Sequence, residues 1–281
     1  MRTRYLCLLF IFLSCNRFKK QQDKEFTSPP GYDLKASKQF YVRQSMQEIS
    51  GIVLAPDEKH ILAINDEQGR IFSIDVTADE AYESWKFDKS GDYEDLATNG
   101  KDWIVLKSNG NLYKVSGLHT DSTDAISYKF PHNGKQEFES LYFDFTRNLL
   151  VEICKNCAED KGKGVSTAYS FNLGTMEFNE EPLYQINVAD IARLTNTEIT
   201  QFRPSAAAIH PLEKKLFILS AINRMMVITD LNGKVLEAHN LKHSIFRQPE
   251  GISFATNGDM YISNEASDEK QANILKFEYH H

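Results

Sequence analysis

Short runs in which apolar and polar residues alternate recur along this chain, bounded by turn residues, and they predict strands rather than helices. The clearest lies between Arg247 and Glu265. Ile252 and Phe254 alternate with small or polar neighbours, Asn257-Gly258 offers the positive-φ pair of a two-residue hairpin, and Met260, Tyr261 and Ile262 begin a return strand. The same pattern follows Ile49-Ser50-Gly51, Tyr93-Glu94-Asp95, Phe138-Glu139-Ser140 and Pro204-Ser205-Ala206. Aligning Ser50, Glu94, Glu139, Ser205 and Glu250 gives separations of 44, 45, 66 and 45 residues. A period of about 40–50 residues carrying some four short strands is that of a propeller blade, because one small sheet cannot bury both faces until neighbours stack on it. The expected fold is therefore all-β: a β-propeller of five blades, with six as the alternative count, in one domain over residues 32–281.

Two irregularities refine this picture. The third repeat is about twenty residues longer than the others, and its excess sits at 187–201, where Val188, Ile191, Leu194 and Ile199 fall at roughly helical spacing. A short inserted helix is expected there, packed on the blades rather than acting as a lid. The last repeat lacks an outer strand, while Gln39 to Arg43 is an alternating segment with no hairpin partner. An N-terminal strand completing the last blade would close the ring and remove both open edges.

The first residues read differently. Arg2 and Arg4 precede an apolar run from Tyr5 to Leu13, too short to span a bilayer, so residues 1–14 are expected to be a signal peptide. Leu13-Ser14-Cys15 resembles a bacterial lipoprotein signal in which Cys15 is lipidated, although Phe12 stands where an aliphatic residue is expected; a plain signal peptide or an unprocessed anchor is the alternative. Residues 15–31 then form a polar tether to the membrane. An exported chain meets an oxidising compartment, so Cys154 and Cys157 are expected either as a local disulfide or as two free thiols. A formal charge of −7 with no basic cluster beyond Lys19-Lys20 argues against a nucleic-acid partner.

Candidate chemistry follows from the alignment. The first strand of each blade lies nearest the central axis, so the aligned positions form a ring around the channel. The small residue that follows each of them, Gly51, Asp95, Ser140, Ala206 and Gly251, suits the close approach of backbones. Glu94, Glu139 and Glu250 would then share one space. Glu48, two residues before Ser50 and on the same strand face, could supply a fourth carboxylate. Such a cluster calls for bound cations, raised pKa values or basic partners. Hard oxygen donors without histidine or thiolate point to calcium, so Glu48, Glu94, Glu139 and Glu250 are the expected metal residues. The alternative is that these carboxylates accept backbone amides of the next blade. At the ends of the second strands, Lys107 and Lys155, with Arg203, Asp66 and Glu265, are the expected ligand-binding residues of the channel, the lysines balancing the glutamates. His60, His119, His132, His210, His239 and His243 fall in turns or loops, and neither a Ser-His-Asp order nor a Gly-x-Ser-x-Gly motif is legible.

A set of short motifs, in order, resembles the SdiA-regulated protein family: Glu48-Ile49-Ser50-Gly51, Asp92-Tyr93-Glu94-Asp95-Leu96-Ala97, Phe138-Glu139-Ser140-Leu141, Ile153-Cys154-Lys155, Arg203-Pro204-Ser205, Ile209-His210-Pro211, Gln248-Pro249-Glu250-Gly251-Ile252 and Ser263-Asn264-Glu265. The resemblance runs from about Gln39 to Tyr279. It departs at Ala206, where Pro-Ser-Gly is the expected pattern. It implies a β-propeller at a bacterial cell envelope, with a leader similar to those of members from the Bacteroidetes group, and it implies no settled activity. The expected function is a monomeric, lipid-anchored envelope protein that binds a small molecule or a protein partner at its channel mouth with calcium in the acidic ring. The alternative is a calcium-dependent hydrolase of a phosphoester or lactone.

Overall fold

Each of the five aligned segments opens an antiparallel meander, and the meanders stand around one axis as blades. The structure, a computed structural model, describes residues 26–78, 80–120, 122–131, 134–268 and 270–280. The expected signal peptide, Cys15, most of the tether and His132 lie outside the described residues. Ahead of the first blade comes β1 (Lys38–Tyr41). Blade one is β2 (Ile49–Leu54), β3 (His60–Asn65), β4 (Gln68–Asp75) and β5 (Glu83–Lys86); blade two is β6 (Tyr93–Thr98), β7 (Trp103–Lys107), β8 (Leu112–Ser116) and β9 (Asp124–Tyr128). Blade three is β10 (Phe138–Asp144), β11 (Leu149–Cys154) and β12 (Val165–Asn172), with a split outer strand, β13 (Glu177–Phe178) and β14 (Tyr184–Asn187), both paired to β12. Blade four is β15 (Ala206–Ile209), β16 (Leu216–Ser220), β17 (Met225–Thr229) and β18 (Val235–Asn240), and blade five begins with β19 (Pro249–Phe254), β20 (Met260–Asn264) and β21 (Asn273–Phe277).

The ring closes as expected. β1 pairs antiparallel with β21, Lys38 opposite Lys276 and Tyr41 opposite Asn273, so the N-terminal strand becomes the outer strand of the last blade. A buried polar knot reinforces this closure. His210 accepts the amides of Leu212 and Glu213 on Nδ1, which leaves its Nε2–H to donate to the Tyr32 hydroxyl at 2.8 Å. Tyr32 in turn donates to the Gly258 carbonyl at 2.5 Å. Burial holds the imidazole below its usual pKa, consistent with the neutral tautomer this chain of donors requires.

Two local readings meet the structure differently. The insert is a helix, α1 (Val188–Thr195), capped by the Asn187 side chain and ended by Asn196 in the left-handed conformation. It buries Val188 and Ile191 in the core and leaves Leu194 exposed, so it packs on one face as an ordinary surface helix. The Asn257-Gly258 turn, by contrast, is not a two-residue hairpin. Five residues connect β19 to β20, only Gly258 takes positive φ (94°), and Asn257 uses its side chain to accept the Asp259 amide.

Five apolar clusters fill the five seams between blades. The second strands contribute most, since they are buried on both faces. Toward the axis the packing is by backbone. A Cβ on Gly51 would lie 2.6 Å from the Asp95 Cα, and one on Gly251 would lie 2.7 Å from the Ser50 carbonyl, so neighbouring inner strands touch at this level. Hydrogen bonds tie the same level together. Ser50 donates to the Glu94 carbonyl (2.5 Å), Ser205 to that of Pro249 (2.6 Å) and Ser263 to that of Ser50 (2.8 Å). The buried Asp95 carboxylate accepts the amides of Leu96 (2.8 Å) and Leu141 (2.7 Å), joining blades two and three. Carboxylate-to-amide bridging between blades thus exists, but Asp95 performs it rather than the aligned glutamates. Cys154 and Cys157 are joined as a disulfide, Cα atoms 5.9 Å apart, within the seam between blades two and three.

One core residue breaks the apolar rule. Glu152 on β11 is 1% exposed, faces Leu141 and Tyr169 across the sheet, and neither carboxyl oxygen has a hydrogen-bond partner among the described residues. Burial drives its pKa well above the usual value, so it resides in the core as the neutral acid. A group of this sign contributes stability that is full below the unfolded-state pKa of about 4.3 and is lost as pH rises above it. Glu152→Met is therefore expected to stabilise the protein by about 1–3 kcal/mol at pH 8 and by less at pH 5, read from urea midpoints at the two values. An equal gain at both pH values would contradict the buried neutral acid. Gly51→Ala is expected to cost about 1–3 kcal/mol in the same assay, because backbone of the next blade stands where the methyl would go; a neutral result would mean that the inner strands are not in contact.

Candidate functional site

Four of the five inner strands carry a β-bulge near their starts. Register shifts fall between Ile49 and Ile52, Tyr93 and Asp95, Phe138 and Ser140, and Pro249 and Gly251. In the last three the unpaired residue is Glu94, Glu139 or Glu250. A bulge re-aims the side chain of its extra residue away from the pleat. These three glutamates therefore leave the seams and line a cavity of about 420 Å³ at the mouth of the channel where the inner strands begin. Blade four has no bulge and offers Ser205, whose hydroxyl is spent on Pro249.

The cavity gathers more carboxylates than the ring alone. Glu48, Asp66, Asp92, Glu137 and Glu265 line it together with the three bulge glutamates. Of the expected site residues, the structure brings Glu48, Glu94, Glu139, Glu250, Asp66 and Glu265 to one mouth. Asp92 and Glu137 were missed, yet a signal was present: each stands two residues before a ring glutamate, as Glu48 does before Ser50, and period two places such pairs on one face.

The cations divide. Lys155 enters an ion pair with Glu139 and a second with Glu137 at 3.2 Å. Lys107 goes elsewhere: its ammonium stands 5.4 Å from the Tyr93 ring centroid, and its charge bears on Asp88. The registers explain the difference. Tyr93 pairs with Lys107 and Phe138 with Cys154, so Lys107 is equivalent to Cys154, and Lys155 lies one residue further on. One residue in a strand reverses the face. Arg203 is also away from the cavity, its guanidinium bonded to Gln201 Oε1 at 3.0 Å.

Eight carboxylates around so few cations cannot all ionise near neutral pH. Burial, reinforced by the neighbouring negative charges, raises Asp66 to about 6, Glu265 to about 8 and Glu94 to about 9. Glu250 is raised to about 7 by burial against the pull of Lys155. The nearness of Asp92 adds to the rise at Glu94 and that of Glu48 to the rise at Glu265, and Gln248 donates to Glu265 at 2.8 Å. Burial works against Glu137 as well, but bonds from Asn156 and Lys155 hold its carboxyl below the usual range. The mouth is thus an acid-lined space in which burial and mutual repulsion favour the protonated form of several carboxyls. Among the described residues no three carboxylate, histidine or cysteine groups converge closely enough to hold a metal ion as they stand, so the expected calcium ligand set is not assembled. Of the hydroxyls at the mouth, that of Ser50 is already bonded to the Glu94 carbonyl, and among the described residues no histidine lines the cavity.

Comparison with known proteins adds the following. A model of the SdiA-regulated family matches residues 26–267. No curated protein matches the chain in sequence. Among solved structures, a glutaminyl cyclase of Myxococcus xanthus superposes with a TM-score of 0.55 at 10% identity, covering 87% of this chain and 98% of that one. A luciferin-regenerating enzyme gives 0.51 at 10% identity over 86% and 95%. The nidogen/laminin complex gives 0.51 at 11% identity over 80% and 74%. At such identity these likenesses concern the propeller fold alone.

Lys155 is the charge on which the mouth's balance rests. Its removal leaves Glu137 and Glu139 unpaired and raises Glu94 and Glu250 further. Lys155→Met is expected to cost up to about 3 kcal/mol at pH 8. The loss should shrink at pH 5, where the carboxyls can take up protons. Urea denaturation at both pH values checks this, and a pH-independent loss would assign Lys155 a packing role only.

Proposed function

The chain belongs to the SdiA-regulated family, and from that premise we propose that it is a cell-envelope binding protein whose acidic channel mouth receives a positively charged group. In this reading residues 1–14 direct export, Cys15 carries the lipid anchor, residues 15–31 are the tether, and a monomeric propeller over 32–281 presents the mouth to a small molecule or a protein partner. The observation that carries the proposal is the set of bulges that turns Glu94, Glu139 and Glu250 out of the seams into one cavity. A bulge costs ladder hydrogen bonds, and burial, with neighbouring acids, raises the pKa values of Glu94 and Glu250, so the arrangement opposes stability and favours a cationic guest. Calcium is the metal that such hard donors prefer, and the carboxylates would have to draw together around it. A protonated amine, from a polyamine or a lysine of a partner, needs no such convergence.

Guest binding must expel the protons held on Glu94, Glu250 and Glu265, so affinity should rise with pH between 6 and 9, the range in which these groups titrate. At a hundredfold excess over Kd, calcium or spermidine should raise the melting temperature by roughly 5 °C. The rise should be larger at pH 8.5 than at pH 6 and should be lost in Glu94→Gln and Glu250→Gln. Elemental analysis of the purified protein with and without chelator tells the metal from the amine. No shift with either cation at either pH would overturn the proposal.

A further inference from the structure

The channel has a second mouth, where the inner strands end. There a cavity of about 390 Å³ lies among the C-terminal halves of all five inner strands, within the roughly 300–1,000 Å³ usual for small-molecule sites. The touching backbones at Gly51, Asp95 and Gly251 separate it from the acidic mouth, since its lining begins one residue further along, at Ile52, Leu96 and Ile252. Its wall includes Leu141, Phe143 and Phe254, and the small side chains of Ala97, Ala207 and Ala208 leave the space open. Phe145 stands at the rim, 70% exposed and edge-on to Phe143 at 4.7 Å.

Polar groups at this mouth are few and mostly committed. The Thr98 hydroxyl donates to the Asp102 carbonyl and that of Thr146 to Asp144, while Ser253 Oγ accepts the Leu54 amide. Among the described residues Lys214 is the one charged residue of the lining, and no carboxylate lines the cavity. The adjacent Lys215 is held by Glu213 at 2.8 Å and Glu237 at 3.3 Å, whereas among the described residues no carboxylate pairs with Lys214. In a chain of net charge −7, an apolar bowl with a single unpaired ammonium at its edge and no acid within it selects against cations and for one negative charge.

We propose that this second mouth binds a free monocarboxylate with an aliphatic body, the chain lying in the bowl and the carboxylate on the Lys214 ammonium. The bowl is recessed between strands, which suits a monomeric guest and not the flat surface of a bilayer.

Dodecanoate is the probe, titrated calorimetrically into the full chain below its micelle concentration. The expected result is saturable one-to-one binding, with dodecanol and dodecyltrimethylammonium weaker by about tenfold. Lys214→Gln should remove the preference for carboxylate over alcohol and leave alcohol binding unchanged. Ala208→Trp, which fills the bowl, should abolish binding of both; its melting curve verifies folding, and Lys214→Gln stands as an independent test. Absence of saturation, equal binding of the ammonium amphiphile, or an unchanged carboxylate preference in Lys214→Gln would overturn the proposal. So would co-sedimentation with phosphatidylcholine vesicles in place of monomer binding.

Discussion

The contact of five inner strands around one axis is the constraint on which the rest of this molecule depends. Each blade is a small sheet with two apolar faces, and neither face is buried until the ring is complete. Completion brings backbones together at Gly51 and Gly251, where a side chain has no room. The amides and carbonyls at that level cannot all find ladder partners, because bulges interrupt the pairing. Ser50, Ser205, Ser263 and Asp95 supply the missing bonds from one blade to the next. The narrow waist, the bulges and the bridging side chains are therefore a single solution to one packing problem.

The chemistry of the two mouths is a consequence of that waist. Before it, the bulges throw glutamates outward into a shared space, and burial with mutual repulsion keeps part of them protonated. Beyond it, regular pairing resumes, side chains alternate again, and the inward positions are apolar or small. Two unlike surfaces thus lie on one axis, separated by closely packed backbone. Lys155, ion-paired with Glu137 and Glu139 at the acidic side, and Lys214 at the apolar side each set the charge contrast of their mouth.

Much of the fold was legible in the chain because its signals are local and periodic. Alternation over a few residues marks strands, and recurrence of Ser50, Glu94, Glu139, Ser205 and Glu250 counts the blades. A spare alternating segment at one end and a missing strand at the other imply closure, which β1 on β21 provides. The helical spacing of Val188 and Ile191 likewise locates α1. The acidic mouth was legible in part for the same reason, since Glu48, Glu94, Glu139 and Glu250 fall at repeating positions. Asp92 and Glu137 carried the same two-residue spacing.

What the sequence by itself determined is thus the all-β architecture, the five repeats, their closure and the approximate line of carboxylates around the axis, because each follows from periodicity. Only the tertiary structure decided which side chain serves which purpose. Lys107 and Lys155 look alike in an alignment, yet a register offset of one residue sends the first to the Tyr93 ring and the second to Glu137 and Glu139. Asp95, read as a small-residue position, is the carboxylate that bridges two blades, and Glu152, hidden in an apolar strand, is a neutral acid in the core. The apolar mouth with Lys214 left no motif at all, for its lining comes from five strands spread over most of the chain. Bulges, registers and the meeting of distant strands arise from packing between blades, and local pattern carries no record of them.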